Sequence, residues 1–188
     1  ELTHSFPTRR SSDLEKLNRE VSIIIDEEGR KIVVINDIRF KGKTIKEWDE
    51  IEKFLYEYVG KFYEIEETAE KIYIGRDFPD EFVHGKDKTV LKGPNLKAKA
   101  NITQAVGELI QIATNKSSAE DYGEKHGKKA KLGWYRYDTR LALPVYNIEG
   151  ELERYNIYKI RMLVRHDADG KIYLYDFLRT KKEMSSPL

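Results

Sequence analysis

The feature that most restricts how this chain can fold is a set of three consecutive segments in which apolar and polar residues alternate. They span Trp134 to Tyr146, Arg154 to His166 and Lys171 to Thr180. Alternation with a period of two is typical of strands that bury only one face. Turn-forming residues separate the segments, at Asn147 to Gly150 and at Asp167 to Gly170. The pattern therefore predicts a three-stranded antiparallel meander.

The alternation gives this meander two faces of different chemistry. We expect one face to be buried, and its residues are Tyr137, Thr139, Leu141, Leu143, Val145, Ile160, Met162, Val164, Ile172, Leu174 and Leu178. The opposite face carries Arg136, Asp138, Arg140, Lys159, Arg161, Arg165, Lys171, Tyr173, Tyr175 and Arg179. Antiparallel sheets often expose one polar face, so a solvated surface would explain the alternation. A solvated surface does not explain why this face has many cations and only one carboxylate. The excess of cations favours an anionic partner.

Two amphipathic helices are predicted ahead of the meander. The first begins at Thr44, which forms a T-x-x-E capping box with Glu47, and it ends at Gly60. The second begins near Pro94 and runs to about Ala113, because an apolar stripe follows helical spacing there. That stripe consists of Ile102, Ala105, Val106, Leu109, Ile110, Ile112 and Ala113. We expect the second helix to pack on the apolar face of the meander, which gives an α+β fold.

The N-terminal half contains further strand signals. Val21 to Ile25 and Lys31 to Ile35 predict a hairpin, and Phe62 to Ile65 and Lys71 to Ile74 predict a second hairpin or two short strands. The stretch from Gly75 to Pro94 is rich in charge, Gly and Pro, and we interpret it as a domain boundary. The predicted organisation is a hairpin–helix–strand module over residues 15–90, followed by a helix and meander over residues 91–188.

Charge is divided unevenly between the two halves. Residues 15–83 carry 12 Lys and Arg against 18 Asp and Glu, a balance of −6, whereas residues 84–188 carry 20 against 13, a balance of +7. A basic half is a hint of an anionic partner such as nucleic acid. No run approaches the roughly 18 apolar residues of a membrane span, so no membrane association is expected. The absence of Cys excludes disulfides and thiol catalysis, which leaves a cytoplasmic location as the default.

The first fourteen residues require separate treatment. His4 to Leu14, with the sequence HSFPTRRSSDL, resembles one reading frame of a widely used DNA-sequencing adapter. We therefore interpret residues 1–14 as adapter-derived and non-structural, and the gene as a metagenomic fragment. A natural Ser/Arg-rich tail is the alternative. In either case His4 drops out as a ligand or catalyst.

Sequence motifs of common enzymes are missing. The chain has no P-loop, no Rossmann glycine motif, no H-E-x-x-H and no G-x-S-x-G. His84, His126 and His166 are too scattered in sequence to predict a metal site. We therefore expect no metal and no cofactor.

The C-terminal half contains several short motifs that together resemble a nuclease family. These motifs are Glu124-Lys125-His126, Gly133-Trp134-Tyr135-Arg136-Tyr137, Leu163-Val164-Arg165, Asp169-Gly170-Lys171-x-Tyr173-Leu174-Tyr175-Asp176 and Lys181-Lys182-Glu183. Over residues 95–188 the chain resembles nuclease domains of the barnase, EndoU, colicin and RelE-like type, the BECR fold, which occur in phage proteins and in polyvalent proteins of conjugative elements. The resemblance implies a helix followed by an antiparallel sheet whose open face is the active site.

The resemblance implies a metal-independent, toxin-like endoribonuclease in which the ribose 2′-OH attacks the phosphate. Such a reaction needs an acid, a base and cations around the phosphorane. His126 is the candidate acid or base. Arg136, Arg140 and Arg165 are candidates for clamping the phosphate, and Tyr175 for donating or stacking. Lys159, Arg161 and Tyr173 are candidates for binding the RNA.

Two interpretations of the same residues remain open. The alternative to a ribonuclease is a non-catalytic nucleic-acid-binding or interaction domain of a mobile-element polyvalent protein. A catalytic site would gather His126 and the arginines in one concavity, whereas a binding surface would spread them along a groove. RNA is the expected partner in both interpretations. An immunity protein is a further candidate partner, and a toxin of this kind can be delivered to another cell.

Overall fold

The structure is a computed structural model that describes residues 20–119 and 132–186. The described part of the chain is a mixed α+β fold, as the sequence predicts. Its elements in chain order are β1 Val21–Ile25, β2 Lys31–Ile35, α1 Ile45–Tyr56, β3 Phe62–Glu64, β4 Lys71–Tyr73, α2 Phe78–His84, α3 Lys86–Val90, α4 Gly93–Ile102, α5 Val106–Gln111, β5 Thr114–Ala119, β6 Gly133–Tyr146, β7 Leu152–His166 and β8 Ile172–Ser186. None of these helices is long and apolar enough to cross a membrane.

The predicted meander is confirmed. Strands β6, β7 and β8 pair antiparallel in sequence order, with Arg140 opposite Lys159 and Arg165 opposite Tyr173. The β7–β8 turn closes as predicted, because Gly170 has a φ of +83° and its N–H donates to the carbonyl of Asp167 at 3.0 Å. Strand β8 extends to Ser186, beyond the end at Thr180 that alternation predicts.

The meander is the centre of a larger sheet that both halves of the chain build. Its strand order is β1-β2-β6-β7-β8-β4-β3, and β5 pairs with the first half of β6. The pairings of β2 with β6 and of β4 with β8 are parallel. The two predicted N-terminal hairpins thus flank the meander on either side. Strands from both sides of the domain boundary predicted near residue 90 belong to this one sheet.

The segment predicted as a linker, Gly75 to Pro94, is largely helical. It contains α2 and α3, and Phe78, Phe82 and Val83 of α2 are buried in the main core. The spacing of four between the two phenylalanines places them on one helix face. The surrounding charge and glycine hide this short apolar pattern, so composition alone suggests a linker.

The second predicted helix is broken into α4 and α5. The break lies at Thr103 to Ala105, where the Thr103 carbonyl accepts a hydrogen bond from the Tyr58 hydroxyl at 2.8 Å. The Gln104 side chain donates to the carbonyl of Asp37 at 3.0 Å. Both bonds join residues remote in sequence, so the apolar stripe cannot predict the break. The residues after α5, predicted only to end the helix, form strand β5.

The predicted buried face of the meander is confirmed at most positions. Ile160, Met162, Val164 and Leu174 are fully buried, and they share one core with Ile102, Val106 and Leu109 of α4 and α5. Val145 and Leu178 are the exceptions, because each is only half-buried. Pairing passes from Val164–Leu174 to Leu163–Asp176, so β8 has an extra residue there. A bulge of this kind reverses the alternation, which buries Phe177 in place of Leu178.

Candidate functional site

The candidate residues on the polar face of the meander fall into two separate groups. Arg165 lies opposite Trp134 in β6, whereas Arg140 lies opposite Lys159 in β7. Six residues of β7 separate these two positions, a distance of about 20 Å along a strand. The predicted phosphate clamp of Arg140 with Arg165 is therefore not assembled around one point.

Arg165 is already engaged by carboxylates. Its side chain is 5% exposed, its Nε donates to Asp167 Oδ1 at 3.0 Å, and its Nη1 forms an ion pair with Asp77. The guanidinium also lies 5.5 Å from the centre of the Tyr173 ring. Replacing these partners with a phosphate would leave the two half-buried carboxylates without the cation that now neutralises them. Arg165 therefore serves the packing of α2 and the β7–β8 turn against the sheet.

The two candidate tyrosines lie at this same end of the sheet. The Tyr173 hydroxyl donates to Asp169 Oδ2 at 2.8 Å, and burial together with Asp169 raises the pKa of Tyr173 to about 12. The Tyr175 ring contacts Trp134 edge-on, with 5.0 Å between ring centres. Burial and a hydrogen bond to Glu81 raise the pKa of Tyr175 as well. Both hydroxyls stay protonated near neutral pH, so they can donate hydrogen bonds but not act as bases.

Arg140 is also paired. Its Nη1 donates to Asp26 Oδ2 at 2.9 Å, and its Nε lies 3.5 Å from Glu183 Oε2. The backbone N–H of Arg30 and the guanidinium of Arg140 hold the pKa of Asp26 down at about 2, against the opposing effect of burial. Arg136, in contrast, is half-buried and makes no ion pair or side-chain hydrogen bond with a residue of 20–119 or 132–186.

His126, the predicted acid or base, lies outside the described residues, as do the adapter-like residues 1–14. The other meander histidine, His166, is described, and its Nε2 lies 3.2 Å from the Gly170 carbonyl. The proposed catalytic constellation is therefore represented in the structure only by its arginines and tyrosines, which spread along the sheet.

Two adjoining cavities open on the Arg140 end of this face. The first has a volume of about 520 Å³, and its charged lining is balanced: Arg30, Lys31, Arg140 and Lys159 face Glu66, Glu67, Asp138 and Glu183. Most of these groups satisfy one another. Lys31 forms an ion pair with Glu66, and Asn115 donates to both Glu67 and Asp138.

The second cavity has a clear excess of positive charge. Its volume is about 370 Å³, and we call it the basic cavity; it is lined by Asp138, Lys159, Arg161, Arg179, Lys181, Lys182 and Glu183. Five cations against two carboxylates leave a formal charge of +3. Within the described ranges, none of these five charged side chains forms an ion pair or a side-chain hydrogen bond, although the backbone N–H groups of Arg179 and Lys182 donate to Asp87 and Asn95. The basic cavity therefore has unused capacity to bind an anion.

A bulge in β8 assembles the basic cavity. Lys159 pairs with Lys181 and Tyr158 with Lys182, whereas Arg161 pairs with Leu178, so β8 gains an extra residue between these pairs. Arg179 has a φ of +53° within this bulge. The consecutive residues Lys181 and Lys182, which follow this bulge, both line the cavity. The sequence predicts a binding role for Lys159 and Arg161 but none for Lys181 and Lys182, which lie beyond the predicted end of the third strand at Thr180.

One group of side chains has the residue types of a metal site. Ligand atoms of Glu52, Asp80 and His84 lie within 4.8 Å of one another on the surface between α1 and α2. His84 Nε2 lies 3.0 Å from Glu52 Oε1, so a direct contact between these two side chains accounts for the arrangement. The three histidines are scattered in sequence, and the structure places His84 beside acidic residues rather than beside His166. The spacing of four between Asp80 and His84 was the available signal.

No family model matches the chain, and no curated protein or solved structure matches it. The geometry above is accordingly the basis for interpreting the site.

Proposed function

We propose that this protein binds single-stranded nucleic acid, with RNA as the preferred form, through the basic cavity and the adjoining polar face of the meander. The observation that carries the proposal is the set of five cations that line one cavity without a partner among the described residues. Unpaired Lys and Arg side chains on one surface are the usual contacts to phosphates.

Aromatic side chains on the same face support a polymer rather than a small anion. Tyr173 is half-buried and lies opposite Arg165 on the same face, about 20 Å along the sheet from Lys159 of the basic cavity, a span that only a polymer would bridge. Aromatic rings beside a basic groove stack with bases of single strands, and this stacking tolerates many sequences. The preference for RNA rests on the resemblance of residues 95–188 to the BECR nucleases.

The test is a binding titration of a labelled single-stranded RNA at several salt concentrations. Each phosphate contact contributes about 0.7 to the salt slope for single strands. The variant Lys159→Gln/Lys181→Gln should therefore weaken binding by about tenfold and lower the slope by about 1.4. A matched control is Lys46→Gln, an exposed lysine of α1 outside the cavity. Equal affinities and slopes for the variant and the wild type would reject the proposal.

RNA cleavage is a second candidate function, and one observation favours it. Asp138 and Glu183 line the same cavity as the five cations, so a carboxylate base can lie beside the phosphate-binding groups. A base for the 2′-OH and fixed cations are what transesterification requires. Here Asp138 takes the role of base, and His126 remains the proposed acid.

Incubation of the protein with total RNA in EDTA tests this second function. Cleavage should leave 2′,3′-cyclic phosphate ends. Asp138→Asn and His126→Ala should each lower the rate by about 10² or more while RNA binding persists. Asp49→Asn, an exposed carboxylate of α1, is the control. Intact RNA at stoichiometric protein would reject cleavage and leave the binding function in place.

A further inference from the structure

A second cationic cavity lies on the helix-covered side of the sheet. It has a volume of about 660 Å³. It lies between residues 38–43, the start of α4, the end of β6 and the start of β7. We call it the lysine cleft, and its charged lining residues are Lys41, Lys43, Lys92, Lys97 and Arg154. No carboxylate lines it. Arg154 pairs with Glu153, but the four lysines have no ion-pair partner in the described part of the chain.

The walls of the lysine cleft are held in place by buried polar contacts. The fully buried Asn101 side chain accepts the N–H groups of Arg39 and Phe40 at 3.2 Å and donates to the Phe40 carbonyl at 2.8 Å. Gly42 follows, and a Cβ there would lie 3.1 Å from the Leu96 carbonyl oxygen. The loop therefore packs directly on α4, which fixes the backbone that carries Lys41 and Lys43 beside the start of this helix.

The position of two of these lysines works against the stability of α4. Lys92 is the N-cap residue, and Lys97 lies at the end of the first turn and a half. The first turn contains no acidic residue, and no side chain caps it. A helix N-terminus carries partial positive charge, so cations there are unfavourable and anions are favourable. The unpaired lysines add mutual repulsion, which a bound anion would remove.

Apolar groups form the rest of the lining. Leu96, Leu143 and Val145 face the cleft together with the buried ring of Tyr158. A volume of this size lies within the range of small-molecule sites, which combine an apolar lining with a few polar groups. A ligand that fits has a compact anionic group and an attached apolar or planar part.

We propose that the lysine cleft binds an organic phosphate of nucleotide size, with the phosphate between Lys92 and Lys97 and the planar part over Leu143 and Val145. Two sources supply this chemistry: a free nucleotide, or one nucleotide of a strand bound elsewhere. The second source is possible because strand β8, which lines the basic cavity, contacts α4. The Lys182 N–H of β8 donates to Asn95 Oδ1 of α4 at 3.0 Å. Lys182 lines the basic cavity, and Asn95 lies between the cleft residues Pro94 and Leu96.

Calorimetric titration of the full chain tests the proposal, using adenosine monophosphate, adenosine and inorganic phosphate at low salt. The monophosphate should bind, phosphate should bind more weakly, and neutral adenosine should not bind detectably. Lys92→Glu and Lys97→Glu should each weaken monophosphate binding by tenfold or more. The exposed α1 variants Lys46→Glu and Lys53→Glu should change it by less than twofold.

Thermal melting separates loss of the site from loss of the fold. An acid at the start of α4 is favoured by the helix dipole, so the Tm of Lys92→Glu should be equal to that of the wild type or higher. Loss of binding with an undiminished Tm supports the proposal. Undiminished binding in both lysine variants, or no binding of any phosphate probe, would overturn it.

A final comparison distinguishes the two sources. If the ligand is part of a strand, a single-stranded hexanucleotide should bind at least tenfold more tightly than the monophosphate, and Lys97→Glu should weaken both. If it is a free nucleotide, the two affinities should be similar. Lys159→Gln/Lys181→Gln removes cations of the basic cavity only, so the monophosphate binding that remains in this variant, and its loss on adding Lys97→Glu, report on the lysine cleft separately from the proposed nucleic-acid function.

Discussion

Replacement of Lys99 by methionine should destabilise the protein strongly, because this lysine neutralises a buried carboxyl. Lys99 is fully buried in α4, and its Nζ donates to Asp87 Oδ2 at 2.9 Å, to Asp176 Oδ1 at 2.8 Å and to the Phe177 carbonyl at 2.6 Å. It also lies 4.4 Å from the centre of the Phe82 ring. The single side chain therefore ties α2, α3 and α4 to the bulged strand β8.

The expected cost follows from what Lys99→Met leaves behind. Asp176 is 1% exposed, and its remaining hydrogen bond comes from the Phe177 N–H at 2.8 Å. Removing one partner of a buried ion pair costs about 3–5 kcal/mol. A domain of this size is stable by about 5–15 kcal/mol, so the loss is a large fraction. With a urea m-value of about 2 kcal/mol/M, the unfolding midpoint should fall by about 1.5–2.5 M.

The pH dependence of this variant has a definite sign. Burial already raises the pKa of Asp176 to about 7, and loss of Lys99 should raise it further. A carboxyl whose pKa is raised by folding contributes stability below its unfolded pKa, near 4, and this contribution is lost as pH rises through the folded pKa. Lys99→Met should therefore be more stable at pH 5 than at pH 8.

Urea unfolding followed by circular dichroism, at both pH values, measures these effects. The double variant Lys99→Met/Asp176→Asn should recover at least about 2 kcal/mol at pH 8, because it removes the uncompensated charge. The matched control is Lys97→Met in the same helix, which should change stability by less than about 0.5 kcal/mol. A cost below about 1 kcal/mol for Lys99→Met, or no rescue by the second substitution, would refute the reasoning.

Three further outcomes are expected. Met162→Asp places an unpaired charge in the core and should unfold the protein, whereas a folded, soluble variant would show that the face assignment is inverted. Gly107→Ala should cost about 1–3 kcal/mol in urea unfolding, because its Cβ would lie 2.6 Å from the fully buried Tyr63 ring. Folding lowers the pKa of Asp26, so the ionised carboxylate stabilises the folded protein above pH 4, and this stabilisation is lost as pH falls towards 2. Asp26→Asn should flatten acid unfolding in that range, and an unchanged acid profile would show that the Arg140 pair does not contribute.

The outcome at the candidate site shows where sequence reasoning stops. Residue type and alternation place Lys159 and Arg161 on the polar face, and both line the basic cavity. The same reasoning selects Arg140 and Arg165 as free phosphate ligands, yet carboxylates engage both. Their partners Asp26 and Asp77 are 114 and 88 residues away in sequence. No local pattern predicts which acid will neutralise which arginine.

The sequence by itself determined the elements whose signals are local: the meander, its turns, the capped start of α1 at Thr44, and the buried face up to the first β8 bulge. Only the tertiary structure decided how those elements combine. The parallel pairings of β2 and β4, the break between α4 and α5 and the three bulges of β8 each depend on contacts between distant segments. Periodicity predicts whether a residue faces a core, because each buried position favours an apolar side chain independently of which element covers it. Partners, bulges and cavities depend on which surfaces meet, and that is settled only when the whole chain packs.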